Sequence, residues 1–232
     1  MSKKKRIVVL TGAGISAESG LQTFRGSGGM WNDYDVSVVA SIDGWYENPA
    51  LVQEFYNKRR AELANAEPNT AHKILAELEN DFEVRVITQN VDNLHEKAGS
   101  SHVLHLHGEL TKACSSANHE EVIEIGYRPI EHGEKSADGS LLRPFIVWFG
   151  EAVPMIEPAA ELMKTADILL IVGTSLNVYP AAGLVHYTRR DIPIYLIDPN
   201  EVATTNEGRI TFIKEKATVG MEKVRELLLE SK

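Results

Sequence analysis

A chain of 232 residues is about one and a half typical domains long, with 43% hydrophobic and 25% charged residues and acidic residues outnumbering basic ones 33 to 24. That length and balance allow a core closed without disulfides, and a net charge of −9 argues against nucleic acid or an anionic membrane surface as partner. The single cysteine, Cys114, excludes an internal disulfide and a zinc cage built of thiolates alone. The basic start (Lys3, Lys4, Lys5, Arg6) leads into only four apolar residues, too few for a secretory signal. The apolar run at 168–172 falls far short of a membrane span, and the expectation is a cytoplasmic protein.

In chain order, residues 6–11 (RIVVLT) read as a buried strand ending at glycine. Ala71, Ile74, Leu75 and Leu78 fall at helical spacing, with Asn69 or Thr70 placed to cap them. Residues 84–88 and 103–107 read as two further strands. In the second, Leu104 and Leu106 share one face and His105 and His107 the other. Residues 145–149, 167–172 and 192–197 supply three more, and a closing amphipathic helix carries Met221, Val224 and Leu228. Alternation of this kind predicts an α/β fold, a Rossmann-like doubly wound parallel sheet covered on both faces. Residues 26–66 hold aromatics and a helix-like stretch, and 108–143 are polar and poorly periodic. Long irregular stretches inside a domain are usually functional or mobile. These two insertions are expected to form a small second domain, with 1–25, 67–107 and 144–232 making up the nucleotide-binding domain.

The first strand runs into Gly12-Ala13-Gly14-Ile15-Ser16-Ala17, which satisfies G-x-G-x-x-G/A. Such glycines let the backbone approach a pyrophosphate, although a turn needed only for chain reversal has the same form. The acidic residue that a dehydrogenase carries about 20 positions on is missing, because that place falls among Gly28, Gly29, Met30, Trp31 and Asn32. A nucleotide site is supported and ordinary hydride transfer is not. Three more polar clusters follow strands: Gln89-Asn90-Val91-Asp92, Gly173-Thr174-Ser175 and Asp198-Pro199-Asn200. In open α/β sheets ligands bind beyond the carboxyl ends of the strands, so all four clusters point to one crevice.

Taken together, Gly12 to Gly20 with Thr23-Phe24-Arg25, Thr88 to His95, Leu106-His107-Gly108, Phe149-Gly150-Glu151 and Gly173-Thr174-Ser175 resemble the sirtuins, NAD-dependent protein-lysine deacylases, in content, order and spacing. The resemblance runs from residue 6 to the last helix. It implies NAD as cofactor, acyl-lysine proteins or peptides as partners, and release of nicotinamide and an O-acyl-ADP-ribose. His107 matches the family's general base, a role suited to an imidazole whose ordinary pKa is about 6.5. His105 shares its face without the motif position and reads as support. Asn90 and Asp92 match residues that organise the nicotinamide ribose and carboxamide, and with His107 they form the implied catalytic set. The cofactor set implied is Gly12, Ala13, Gly14, Ser16, Ala17, Thr23 and the loop residues Phe24, Arg25 and Trp31. It continues with Gln89 and Val91, with Gly173, Thr174 and Ser175, and at the adenosine end with Leu196, Ile197, Asp198 and Ala217. Val147, Phe149, Gly150 and Glu151, opposite the loop 177–183, resemble the edges between which a peptide is added as a strand.

Tyr56 and Arg59 stand three apart on a helical stretch and so on one face. In sirtuins that prefer acidic acyl groups a Tyr-x-x-Arg pair at this place binds the distal carboxylate, which implies a desuccinylase or demalonylase. Thr23, where deacetylating relatives often carry aspartate, points the same way. Most sirtuins hold zinc on two C-x-x-C pairs. Here Cys114 is followed by Ala117 and no second pair exists, and His119 and His132 add only irregularly spaced candidates. No metal ligands are assigned and zinc is not expected. A mono-ADP-ribosyltransferase or NAD-cleaving enzyme, and a non-catalytic NAD or ADP-ribose sensor, are the alternatives. The joint presence of His107, Asn90 and Asp92 weighs against the sensor.

Overall fold

The computed structural model describes residues 4–23, 35–202 and 209–230. Six strands, β1 (Arg6–Thr11), β2 (Glu83–Thr88), β3 (Val103–His105), β7 (Ile168–Val172), β8 (Ile194–Ile197) and β9 (Ile210–Ile213), form one sheet in the order β3-β2-β1-β7-β8-β9. Every pairing in it is parallel. The chain builds outward from β1 through β2 to β3, then returns to the other side of β1 for β7, so strand order reverses between β1 and β7. Thr11 pairs with both Thr88 and Val172, which brings the carboxyl ends of the three central strands level.

The strands are apolar throughout because both faces are covered. On one face Ile7, Val9, Val86 and Leu170 pack against α4 (Thr70–Glu77) and α7 (Ala217–Glu230) through Ile74, Leu75, Met221, Val224 and Leu228. On the other, Val8, Leu10, Ile87 and Ile171 meet α6 (Ile156–Lys164) and a helical turn at 181–187, through Ala159, Met163 and Leu184. Asn69 is the cap of α4, accepting from the Ala71 N–H at 3.0 Å while its amide donates to the Ile15 carbonyl at 2.7 Å. One side chain thus satisfies an orphan helix N–H and ties α4 to the glycine turn.

A three-stranded antiparallel sheet, β4 (Gly108–Ser115), β5 (Val122–Glu124) and β6 (Leu142–Ile146), takes the order β5-β4-β6. The sequence places 145–149 among the parallel strands, but the strand observed is β6, on the edge of this second sheet. Pro144 explains the difference, since a residue without an N–H is tolerated at a sheet edge and not in a central strand. Strand β9 escapes the sequence reading because it is only four residues long, on the sheet edge, with Thr211 interrupting its apolar residues. The stretch 108–143 is more regular than its polarity suggests. The helices α1 (Val36–Val39), α2 (Ile42–Glu47) and α3 (Pro49–Ala64) share a core with the small sheet, in which Trp45, Val52, Phe55, Tyr56 and Leu63 meet Leu110, Ile146 and Trp148. Among the described residues no helix is long and apolar enough to cross a membrane.

Candidate active site

At the reversal between β1 and β7 the two turns nearly touch. The Gly12 N–H donates to the Val172 carbonyl at 3.1 Å and the Gly14 N–H to the Gly173 carbonyl at 2.9 Å. A Cβ on Gly14 would lie 2.6 Å from the Gly173 Cα, and Gly173 itself has φ +64°, where L side chains are strained. Gly14→Ala must therefore push backbone against backbone. The expected loss is about 1–3 kcal/mol of stability, read as a lowered Tm in thermal unfolding of purified protein.

These turns open one side of a cleft of about 600 Å³. Gly12, Ala13, Gly14, Ala17 and Thr23 line it from β1, and Gly173, Thr174 and Ser175 from β7. Gln89, Asn90, Val91 and His107 line it from β2 and the end of β3, and Ile197, Asp198 and Ala217 from the far side of the sheet. The four polar clusters do converge. The Gln89 amide donates to the Thr174 hydroxyl at 3.0 Å, coupling two of them.

Among the described residues His107 is held by one bond, from Nδ1 to the Gln89 carbonyl at 2.9 Å. A carbonyl only accepts, so Nδ1 carries the proton and Nε2 is left with a free lone pair. Burial pushes this imidazole below its ordinary value, with the Gln89 carbonyl pulling the other way. It is a neutral base at neutral pH. His105 bonds Nδ1 to the Asn90 carbonyl at 3.0 Å and Nε2 to Glu96 at 2.8 Å. Both histidines therefore buttress the 89–90 backbone, and only His107 lines the cleft. The Asn90 amide donates to the Gly12 carbonyl and the Ser16 hydroxyl, each at 3.2 Å. With both hydrogens committed, Asn90 has only its carbonyl oxygen to offer a ligand.

Ser16 and Asp92 lie behind this wall. Ser16 donates to Asp92 at 3.0 Å, and the Leu94 N–H donates to the other carboxylate oxygen at 3.1 Å. Burial raises the Asp92 carboxyl above its ordinary value, partly opposed by those two bonds. Leu196 is buried in the sheet core and does not line the cleft, because alternation along β8 turns it to the opposite face from Ile197. Phe24, Arg25 and Trp31 lie outside the described residues.

Tyr56 and Arg59 of α3 line the same cleft with Ile146, Val147, Trp148 and Phe149. The Trp148 indole N–H donates to the Tyr56 hydroxyl at 3.0 Å, which leaves the phenol's own hydrogen to donate elsewhere. Burial pushes the Tyr56 phenol up to about 12, so it keeps that hydrogen. Phe149, 49% exposed, and Tyr179, 74% exposed, both line this cleft. Gly150 and Glu151 do not line the cleft; the Glu151 carboxylate is taken by Arg143 at 2.7 and 3.0 Å.

The sequence assigns no individual role to several cleft residues, although Glu18, Trp148 and Asn200 fall within stretches quoted above. Trp148 lies inside the strand-like run 145–149, which gives it no role of its own. Glu18 both lines the cleft and accepts from the Thr218 N–H at 3.0 Å, linking the glycine turn to the start of α7. Lys216 and Asn200 complete the far side. Cys114, on β4, is buried, which pushes its thiol up to about 11. Among the described residues no three His, Cys, Asp or Glu side chains gather as a metal would require.

Comparison with known proteins agrees with this fold. Residues 12–180 match the model of the Sir2 family. The chain is 55% identical to an NAD-dependent protein deacylase of Bacteroides thetaiotaomicron, over 97% of this chain and 98% of that protein. It is 48% identical to one of Helicobacter pylori, with the same shares covered. A solved structure of a Sir2 homologue with NAD superposes with a TM-score of 0.87 at 38% identity, covering 98% of this chain and 91% of that one. The family match, the level of identity and the doubly wound fold thus agree along nearly the full length, and the chain belongs to the Sir2 family of NAD-dependent protein deacylases.

Proposed function

We propose that this protein removes acidic acyl groups, succinyl, malonyl or glutaryl, from lysine side chains with consumption of NAD, and removes acetyl groups more weakly. The observation that carries the reading is that Arg59 and Tyr56, whose phenol keeps a spare hydrogen, both line the cleft that also holds His107. A guanidinium forks onto a carboxylate and the phenol adds one donor, an arrangement with nothing to bind on an acetyl group. NAD supplies an electrophilic ribose carbon and a nicotinamide leaving group. Gly12, Gly14, Thr174 and Ser175 are placed for its phosphates and ribose, and Ile197, Asp198 and Ala217 for the adenosine end. Asn90 orients the nicotinamide side through its carbonyl oxygen, and Asp92 acts from behind by fixing Ser16. His107 Nε2 takes the proton from a ribose hydroxyl. An extended peptide enters between Phe149 and Tyr179, with its acyl-lysine directed toward Tyr56. The small sheet holds together without zinc, since a single buried thiol offers no ligand set.

The direct test incubates the protein with NAD and matched succinyl- and acetyl-lysine peptides and follows both products by mass spectrometry. The expected result is kcat/KM at least tenfold higher for the succinyl peptide, with O-succinyl-ADP-ribose formed. Free ADP-ribose or ADP-ribosylated protein without peptide turnover identifies an NAD-cleaving or transferase enzyme, and NAD binding without turnover identifies a sensor. Because the base works neutral and burial lowers its pKa, the acidic limb of the kcat/KM profile is expected below pH 6.5. A limb at or above that value contradicts the assignment of His107 as base.

A further inference from the structure

The small sheet contains a buried ion pair that no part of the reaction described above uses. Arg143 lies on β6, paired in register with Cys114 of β4, and is 1% exposed. Its two terminal nitrogens donate to the two oxygens of Glu151, at 2.7 and 3.0 Å, and one donates further to the Ile146 carbonyl at 2.7 Å. The guanidinium carbon sits 3.6 Å from the centroid of the Trp148 ring. Glu151 also accepts the Trp148 backbone N–H at 2.8 Å. The indole is therefore pinned by its main chain and by a flat cation against its face. Its remaining polar group, the ring N–H, donates to the Tyr56 hydroxyl at 3.0 Å.

From this relay we infer that Arg143, clamped by Glu151, is a positioning residue for acyl selection. It fixes the plane of Trp148, Trp148 fixes the phenol of Tyr56, and the phenol's spare hydrogen is thereby aimed at the acyl carboxylate beside Arg59. The inference rests on the acidic-acyl reading of Tyr56 and Arg59. It adds a residue that touches neither substrate nor NAD. A lysine at position 143 keeps a charge for Glu151 but has neither the fork nor the flat face, so it separates stacking from charge.

The test compares kcat and KM for succinyl- and acetyl-lysine peptides, and KM for NAD, in the wild type, Arg143→Lys and Arg59→Met, with thermal unfolding to establish that each variant is folded. Arg143→Lys is expected to lower the succinyl-to-acetyl ratio of kcat/KM about tenfold, chiefly through KM of the succinyl peptide, with KM for NAD changed less than twofold. A merely structural residue would depress both peptides together. A folded Arg143→Lys enzyme with an unchanged ratio, beside an Arg59→Met enzyme whose ratio falls, overturns the relay and leaves the acyl reading standing. An unchanged ratio in Arg59→Met overturns the acyl reading itself, and the relay with it. Should Arg143→Lys fail to fold, Trp148→Phe decides: it keeps a ring beneath Arg143 and removes only the N–H to Tyr56. A ratio lowered about fivefold supports the relay, and an unchanged ratio overturns it.

Discussion

His107→Ala is expected to lower kcat/KM for the succinyl peptide by about 10²- to 10⁴-fold, the range that one positioned general base contributes. The argument is geometric. Nδ1 is committed to the Gln89 carbonyl, Nε2 is the unprotonated nitrogen, and the ring lines the cleft that the glycine turns open. Alanine removes the base and one hydrogen bond to the 89–90 backbone. His105 still holds that backbone through the Asn90 carbonyl, so the cleft keeps its shape. NAD affinity, measured by isothermal titration, is accordingly expected to stay within a few fold of the wild type. Turnover retained above a tenth would remove His107 from the chemistry. Loss of NAD affinity in proportion to turnover would show that the ring is structural.

The parts of this arrangement that could be read from sequence share one property: each is set by neighbours along the chain. The run 6–11 is apolar because both faces of its strand are covered, and the glycines that follow are required by a backbone contact that no side chain would survive. The cap could be narrowed to Asn69 or Thr70, of which Asn69 is the one observed, because a cap depends on the first turn alone. His105 and His107 could be placed on a common side because strand alternation is local, and each reaches a carbonyl of the 89–90 segment.

What could not be read depends on partners far along the chain. Pro144 marks its strand as an edge, but nothing nearby says that the edge belongs to a second, antiparallel sheet with β4. Leu196 and Ile197 are both apolar and adjacent, and only the docking of α7 on one face decides which of them meets the cleft. Asp92 belongs to a legible motif, yet its place behind the wall is set by Ser16, 76 residues away. Trp148 has no motif of its own, because its role comes from Tyr56, 92 residues away, and from Arg143 lying across its ring. The motifs locate the cleft, and the residues that pack behind its walls are brought there by the tertiary fold.

Arg59→Met offers the sharpest separation between acidic and neutral acyl groups. A hydrogen bond to a charged group contributes about 1.5–3 kcal/mol, and tenfold corresponds to about 1.4 kcal/mol. Losing the guanidinium is therefore expected to lower kcat/KM for the succinyl peptide by about 10- to 150-fold. Methionine keeps much of the side chain's length and apolar stem, so the wall of the cleft stays filled. The acetyl peptide, which has no carboxylate to lose, is expected to change less than threefold. Tyr56→Phe removes only a neutral donor, and a smaller loss of about 2- to 10-fold is expected, again confined to the succinyl peptide. The order matters as much as the sizes, because a cation that recognises an anion must outweigh the phenol that assists it. Equal losses on both peptides would mean that α3 supports the cleft without reading the acyl group, and the preference for acidic acyl chains would then need another origin.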